Sequence, residues 1–178
     1  MANEPKLEIY KIILDSKKKA CHISFRDFFR ETLDYSGINS PYSREDIFVT
    51  FYKDFVNKID LKGYLTNEEK KKAFTISMDE VSNVKQSKIS SPINANEIIS
   101  GILEGGTYGR NRNVGIIDDT SKREKLHKNN VINDLFYFLL YTPLDHHIGI
   151  LMVQGYTGIK ISDVLREHLK EYFKLEKI

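Results

Sequence analysis

Two short apolar runs near the C-terminus, Leu135–Tyr141 and Ile148–Val153, constrain the fold of this chain most strongly. The turn-forming residues between them, among them Pro143 and Asp145, predict a β-hairpin. Neither alternating side of the first run is polar, whereas an antiparallel strand with one face in water shows a polar residue at every second position. We therefore expect this hairpin to be covered on both faces.

An amphipathic helix is predicted directly after the hairpin, ending near Phe173. Ser162 is the expected N-cap, and Asp163 follows it at the positive end of the helix, where a carboxylate is favourable. Polar residues occupy the opposite side, so the helix presents one apolar stripe. The residues of that stripe are Val164, Leu165, Leu169, Tyr172 and Phe173.

A hairpin that is apolar on both sides needs two covering layers, and a few short helices do not readily supply both. We expect the second face to be closed by another copy of the chain or by a protein partner. The protein is thus predicted to be a homo-oligomer or part of a protein complex. The residues predicted at that interface are Phe136, Phe138 and Leu140.

The composition of the 178 residues is that of a folded domain, with 40% hydrophobic and 29% charged residues. We expect one α+β domain over residues 1–178, either by itself or as a module of a larger protein or complex. The net charge of +2 is small for a dedicated, sequence-independent DNA-binding protein. A local basic patch can still bind phosphate.

Three absences in the sequence bear on the compartment. The single Cys21 excludes an intrachain disulfide framework and suits a reducing environment. No apolar run reaches the roughly 20 residues that span a bilayer. The polar start of the chain is not followed by the hydrophobic stretch of a secretory signal. Together these features predict a cytoplasmic protein that does not associate with a membrane.

Two capping boxes predict helices in the first third of the chain, Ser24 with Asp27 and Ser43 with Asp46. In the second helix apolar residues recur at intervals of four, which extends it to about Asp60. These apolar positions are Ile47, Phe51, Phe55 and Ile59.

Further strands are predicted at Leu7–Leu14 and Lys70–Met78, where β-forming residues are concentrated. Ser82–Ala95 is rich in Ser, Asn and Gln and predicts a long loop. The fold class expected from all these elements is α+β, with a mostly antiparallel sheet of about five to six strands packed by three helices.

The glycine pair Gly105-Gly106 predicts a tight hairpin turn between the strands Ile98–Leu103 and Tyr108–Ile117. The charged segment Asp118–Asn130 is expected to be a connector or a short helix. Backbone amides beside glycines can cradle a phosphate, but neither a P-loop nor a dinucleotide-binding spacing occurs. A plain hairpin with exposed arginines is the alternative interpretation.

A basic patch beside this hairpin is the candidate nucleic-acid site. From Gly105 to Asn133 there are six Lys or Arg residues and three Asp or Glu residues. Tyr108 could offer a ring on which a base stacks. The basic residues of the candidate site are Arg110, Arg112, Lys122, Arg123, Lys125 and Lys128.

Carboxylates in the charged segment form the only cluster in the sequence reminiscent of a metal-dependent nuclease. Asp118, Asp119 and Glu124 could hold a divalent ion in a nuclease or phosphoesterase, with Lys125 near the attacked phosphate. Because they lie in a polar connector instead of on core strands, a solvated loop is the alternative reading. No second His or Cys pair has zinc spacing, so we expect no metal and no cofactor.

Asp145-His146-His147 lies in the turn of the central hairpin and could in principle bind a metal or exchange protons. Neighbouring residues of a strand point to opposite faces, so a polar turn is the simpler interpretation. Cys21 is expected to be an ordinary small core residue. Whether the protein is an enzyme stays open, and a non-catalytic role is favoured.

The succession EKKKAFTI, ISGILEGGTYGRNR, LFYFLLYTPLDHHIGILMVQ and GIKISDVLREHLKEYF, over about residues 67–175, resembles uncharacterised domains of bacterial phage-defence (abortive-infection) proteins. The resemblance is one of strands and glycines and carries over no catalytic residue. It implies a cytosolic bacterial protein that acts in a defence complex and contacts nucleic acid. We therefore expect a non-catalytic sensing or assembly module of an antiviral defence system, with a small homo-oligomeric binding protein and the nuclease as alternatives.

Overall fold

The computed structural model describes residues 4–16, 21–37, 42–60, 63–81, 84–87, 97–116, 118–156, 158 and 160–173. Three helices and twelve strands occur in this part of the chain. The helices are α1 (Phe25–Thr32), α2 (Arg44–Asp60) and α3 (Ser162–Tyr172). The strands are β1 (Pro5–Ile13), β2 (Asp15–Ser16), β3 (Cys21–His22), β4 (Leu65–Asn67), β5 (Lys72–Ile76), β6 (Met78–Val81), β7 (Val84–Ser87), β8 (Ile98–Thr107), β9 (Arg112–Ile116), β10 (Asp119–Leu126), β11 (Ile132–Tyr141) and β12 (Ile148–Tyr156).

Six strands form the main sheet, in the order β1-β12-β11-β8-β5-β4 with every neighbouring pair antiparallel. The central hairpin β11–β12 is confirmed, and it lies inside the sheet with β8 and β1 on either side. The strand pairs β9–β10, β2–β3 and β6–β7 are separate two-stranded ribbons. The predicted α+β class, with a six-stranded antiparallel sheet and three helices, is confirmed.

The core is a layer of aromatic rings between the helices and one face of the sheet. Phe29 of α1 and Phe51 of α2 stack with their ring centroids 4.1 Å apart and an interplanar angle of 16°. Phe55 of α2 reaches the sheet, where its centroid lies 6.3 Å from that of Phe138. The predicted apolar positions of α2 are all buried: Ile47, Phe51, Phe55 and Ile59.

Both predicted capping boxes are present. The backbone N–H of Asp27 donates to the Ser24 hydroxyl at 3.1 Å, and this begins α1. Before α2 the exchange is reciprocal: the N–H of Asp46 donates to the Ser43 hydroxyl, and the N–H of Ser43 donates to the Asp46 carboxylate. Each box satisfies N–H groups that the first helical turn leaves without a backbone partner.

Gly149 of β12 makes room for the first helix. A Cβ atom at this position would lie 2.6 Å from the backbone oxygen of Tyr141 and 2.9 Å from Cζ of Phe25. The fully buried Phe25 ring therefore occupies the space that a side chain on β12 would take. The gap in the apolar run of the central hairpin is the position at which α1 approaches the sheet.

The edge strand β1 is joined to the start of α3 through Glu8. Its carboxylate accepts hydrogen bonds from the Tyr10 hydroxyl at 2.9 Å and from Ser162, and it forms an ion pair with Lys160. Burial disfavours the charged form, but these hydrogen bonds outweigh it and lower the pKa of Glu8 from 4.5 to about 2. The expected N-cap role of Ser162 is wrong, because the cap is Ile161 and the Ser162 hydroxyl is used by Glu8 instead.

Two predictions about the glycine-rich region are wrong. Gly105 and Gly106 do not form a turn, because β8 continues through them to Thr107. A Cβ atom on Gly106 would lie 1.8 Å from the backbone oxygen of Ile132, so the glycine permits a close approach of two strands. The charged segment Asp118–Asn130 is not a connector or a helix, since most of it is the strand β10 paired with β9.

The predicted strand Lys70–Met78 appears as β5, which is shorter, followed by β6. The predicted loop Ser82–Ala95 contains β7, and its other residues lie outside the described part of the chain. No helix in the described part of the chain is both long and apolar enough to cross a membrane.

The described part of the chain covers the central hairpin on one face only, which corrects the expectation for a single copy. Phe136 and Leu140 are fully buried under the helices, and Phe138 is nearly so. On the other face Tyr137 is 60% exposed and Leu135 is 46% exposed. All three helices lie on one side because their apolar stripes share a single aromatic core.

Replacement of Gly149 by alanine is expected to destabilise the fold by about 1–3 kcal/mol, because the new Cβ would collide with the Tyr141 carbonyl and the Phe25 ring. Urea denaturation should show a lower midpoint. The control is Gly37→Ala, where a Cβ would meet no atom within 4 Å. Equal midpoints for the two variants would contradict this account of the α1–β12 contact.

Replacement of Glu8 by glutamine is expected to lower the unfolding free energy and to make that free energy depend less on pH in the acid range. Because the folded-state pKa is lowered, the charged Glu8 stabilises the fold fully above pH 4.5, and this contribution is lost as the pH falls towards 2. The difference in unfolding free energy between wild type and Glu8→Gln should therefore shrink from pH 5 to about pH 2. Glu31→Gln, which removes an exposed carboxylate from α1, controls for the loss of one charge, and a pH-independent difference for Glu8→Gln would disprove the assignment.

Candidate interaction surfaces

The sheet face opposite the helices, called the open face below, carries large apolar side chains in contact with solvent. Leu7 is 64% exposed and Ile9 is 60% exposed on β1, beside Leu135 and Tyr137 on β11. Register shows that these side chains share one face, because Ile9 pairs with Met152, which pairs in turn with Leu139. Exposed apolar side chains gathered on one surface are typical of a protein-protein interface.

The apolar character of the open face is concentrated at the β1–β12–β11 side. In β8 and β5 the same face presents Glu104 and Thr75, which pair in register. The Glu104 carboxylate accepts a hydrogen bond from the Asn133 side chain at 2.5 Å. The face is thus an apolar area that borders a polar one, the arrangement of an interface core and its rim.

The residues predicted at an interface lie on the wrong face of β11. Phe136, Phe138 and Leu140 contact the helices inside the chain's own core and are not accessible to a partner. Side chains alternate along a strand, so the outward positions are the odd-numbered ones, Leu135 and Tyr137. The sequence has apolar residues on both sides of β11, so it does not indicate which side packs against the helices.

Sequence reasoning did not identify β1 as part of a surface. Leu7, Ile9 and Ile13 occupy its odd positions and are the most exposed large apolar residues of the strand. The signal in the sequence was the alternation of these apolar residues with Glu8 and Tyr10, whose side chains face α3. A strand that is apolar at every second position and polar between would normally turn its apolar side inward, and β1 does the reverse at this end.

The ribbon β9–β10 stands apart from the main sheet and carries most of the predicted basic patch. Its base is held by the N–H of Gly109, which donates to the Lys128 carbonyl at 2.7 Å, and by Lys128 N–H, which donates to Asn111 at 3.0 Å. Arg112 donates to the Thr107 hydroxyl at 3.3 Å and is half-buried at the same base. Arg110 lies in the exposed turn that leads into the ribbon.

One face of this ribbon carries cations and no carboxylate among its paired positions. In the register of the ribbon Lys125 pairs with Asn113 and Arg123 pairs with Gly115. The two cations therefore project from the same side, and their neighbours on β9 are a polar residue and a glycine. Glu124 falls on the other side, opposite Val114. Neither Arg123 nor Lys125 takes part in an ion pair with any residue that the structure describes.

The remaining members of the predicted patch contribute less. Lys122 lies 3.4 Å from the Asp119 carboxylate and is partly neutralised by it. Tyr108 is half-buried, with the Lys71 ammonium 5.6 Å from its ring centroid. Burial and the neighbouring Glu68 carboxylate raise the pKa of Tyr108. The structure thus brings Arg123 and Lys125 together and places Tyr108 at the base of the ribbon, beside Lys71.

The candidate carboxylates lie on the exposed ribbon or at its end. Asp119 accepts a hydrogen bond from the Ser121 hydroxyl at 2.5 Å, which lowers the pKa of Asp119. Asp118 and Glu124 are exposed. No group of three His, Cys, Asp or Glu side chains within the described residues has the geometry to hold a metal ion. The arrangement therefore lends the nuclease alternative no geometric support.

The turn histidine His147 contacts an element that the sequence did not associate with it. Its ring stacks on His22 of β3 with a centroid distance of 4.1 Å and an angle of 6°. His22 Nδ1 lies 2.6 Å from the Asp15 carboxylate. His146 is exposed in the turn, and the side chain of Cys21 lies outside the described part of the structure. The predicted polar turn thus also anchors the β2–β3 ribbon.

A buried carboxylate that sequence reasoning missed lies at the beginning of β8. Glu97 is almost fully buried, accepts a hydrogen bond from the Leu144 N–H at 2.8 Å and pairs with Arg44 at 2.5 Å. Arg44 also pairs with Asp145, which Arg26 contacts at 2.7 Å. The hydrogen bond from Arg44 lowers the pKa of Asp145 although partial burial opposes it. These pairs join α1 and α2 to the β11–β12 turn and have a structural role.

Comparisons with known proteins assign no role to any of these residues. No protein-family model matches the chain, and no curated protein or solved structure matches it significantly. The assignment of the interaction surfaces therefore depends on the geometry described above.

Proposed function

We propose that the protein is a non-catalytic assembly module whose open face is closed by a second copy of the chain. The observation that carries this proposal is the solvent exposure of Leu7, Ile9 and Tyr137 on one continuous sheet face. Burial of such side chains yields about 1.5–3 kcal/mol each relative to leaving them in water, before the cost of association is subtracted.

A second copy is favoured over an unrelated partner by the character of the surface. In a two-fold contact the same area faces itself, so a charge at its centre would meet an identical charge. The paired residues Ile9, Met152 and Leu139 at the centre of the open face are uncharged, and the nearest charge on β1 is Lys11, which pairs with Ile150 on the same face. Two such sheets can pack face to face at about 10 Å, as in a β-sandwich.

The setting of this assembly in a bacterial antiviral defence system is proposed on the sequence resemblance alone. A sensing or scaffolding role agrees with the candidate sites among the described residues, which are surfaces and not clusters of catalytic groups. The small homo-oligomeric binding protein expected as an alternative shares the same interface and differs only in its biological context.

A second candidate function, contact with nucleic acid, is favoured by the basic side of the β9–β10 ribbon. Two-stranded β-ribbons fit the grooves of duplex DNA, and unpaired arginine and lysine side chains neutralise phosphates. Arg123 and Lys125 meet that requirement, whereas Tyr108 does not present a free ring. An assembly that joins two copies would also join two ribbons and so increase the avidity for one nucleic acid.

Self-association is tested by placing charge at the centre of the open face. Wild-type protein is expected to sediment as a dimer, whereas Ile9→Lys/Tyr137→Lys should sediment as a monomer, because two like charges would face their copies. Both side chains are 60% exposed, so their replacement removes no core contact. The two substitutions should therefore not lower the melting temperature of the monomer. Analytical ultracentrifugation makes the measurement.

The matched control for this experiment is Val114→Lys, which adds a charge at an exposed apolar position of the ribbon. It should leave the dimer intact. A wild-type protein that remains monomeric at several hundred micromolar would refute the proposal. Dimers that persist in Ile9→Lys/Tyr137→Lys would place the interface elsewhere.

Nucleic-acid contact is tested by removing the two ribbon cations. For a short DNA duplex, fluorescence anisotropy should show weaker binding by Arg123→Gln/Lys125→Gln and a salt slope reduced by about 1.8, since each neutralised phosphate contributes about 0.9. The control is Arg30→Gln/Lys53→Gln, which removes two exposed cations from the helices. If both variants show the same affinity and salt slope as the wild type, the ribbon does not contact DNA.

A further inference from the structure

A cleft of about 390 Å³ opens between the edge strand β1, the helix α1 and the outer side of α3. Its α1 and α3 lining lies on the helix side of the sheet, it borders the open face along β1 at Lys11 and Ile13, and none of its lining residues belongs to the ribbon. Its volume falls within the range of small-molecule sites, roughly 300–1,000 Å³.

The floor of the cleft is apolar. Leu14, Phe28, Leu151 and Leu169 line it and are almost completely buried. Phe173, at the end of α3, also lines it and remains half-exposed. The Phe173 ring packs edge-on against Phe28 with a centroid distance of 5.6 Å. An apolar chain or ring could therefore be accommodated without leaving a polar group of the floor unsatisfied.

The rim of the cleft on α3 is cationic. Arg166 and Lys170, one helical turn apart, both line it, and neither forms an ion pair with a described residue. The Arg166 guanidinium carbon lies 4.3 Å from the centroid of the Tyr10 ring, which holds it at the opening. Stacked in this way, a guanidinium keeps its N–H donors available for an anion.

The other charged groups of the cleft do not cancel this character. Lys11 of β1 also borders the cleft, but it occupies an odd position of the strand, so its side chain projects to the open face with Ile9 and Ile13. Among the described lining residues Asp15 is the only one with a carboxylate, and that carboxylate lies 2.6 Å from His22 Nδ1. The cleft thus combines an apolar floor with a rim of net positive charge.

From this arrangement we propose that the cleft binds a small amphipathic carboxylate, with its apolar tail on the Leu14–Phe28–Leu169 floor and its carboxylate on Arg166 and Lys170. Arginine binds a carboxylate with two parallel hydrogen bonds, and lysine adds a point charge. The volume of about 390 Å³ admits the tail of a medium-chain carboxylate, and because the cleft is open to solvent the volume sets no upper limit on the tail length. This site is independent of the proposed assembly and of the ribbon.

The test is a calorimetric titration of the full chain with decanoate, kept below its micelle-forming concentration. Saturable binding with one site per chain is expected. Arg166→Gln/Lys170→Gln should raise the dissociation constant at least about tenfold, the loss expected for one or two hydrogen bonds to a charged group. Uncharged decan-1-ol should bind the wild type more weakly than decanoate by a similar factor, and its affinity should not change in the variant.

The matched control is Arg123→Gln/Lys125→Gln, which removes the same number of charges from the distant ribbon and should bind decanoate as the wild type does. Thermal melting of both variants shows whether they are folded. Absence of saturable decanoate binding to the wild type would overturn the proposal. Equal affinity for decanoate and decan-1-ol, or an equal loss in both variants, would overturn it as well, because neither result fits an anion held at Arg166 and Lys170.

Discussion

The packing of phenylalanine rings from three helices onto one face of the sheet is the constraint on which the structure depends. Phe25 lies over Gly149, and Phe51 stacks on Phe29 while it also contacts Tyr172 of α3. Because the three helices share these rings, none of them is free to move to the other side of the sheet. The one-sided architecture follows from the aromatic core, and so does the exposure of the opposite face.

The one-sided core also explains why the chain carries so much apolar surface. A central strand that is apolar on both sides suits a buried position, yet the helices cover only half of it. Tyr137 and Leu135 remain in solvent, next to Leu7 and Ile9 of the edge strand. Proteins that keep such a face in a single chain incur a risk of aggregation, and a specific second copy removes that risk.

The surfaces that could bind other molecules are distributed around this core, and the described residues include no group of three His, Cys, Asp or Glu side chains that could hold a metal ion. The basic side of the ribbon extends into solvent, and the cleft with Arg166 and Lys170 lies at the edge of the helix layer. Buried ionic groups such as Glu97 are satisfied by neighbouring helices and turns.

Local sequence determined the elements whose formation depends on near neighbours in the chain. Both capping boxes, the four-residue periodicity of α2 and the central hairpin could be predicted, because helix caps, amphipathic stripes and turns are local signals. The glycine pair at 105 and 106 was misread for the same reason. A hairpin turn and a close strand approach both require glycine, and only the position of Ile132 on the neighbouring strand separates them.

Tertiary structure alone decided which side of each strand faces inward. In β11 both sides are apolar, so nothing in its own sequence distinguishes Phe136 from Tyr137. The choice follows from the helices, which lie where Gly149 admits the Phe25 ring. The basic ribbon is likewise a product of pairing, since Arg123 and Lys125 share a face only because the charged segment forms a strand against β9. The sequence by itself determined that this chain forms a helix-packed antiparallel sheet, and long-range packing determined which surfaces the sheet leaves for other molecules.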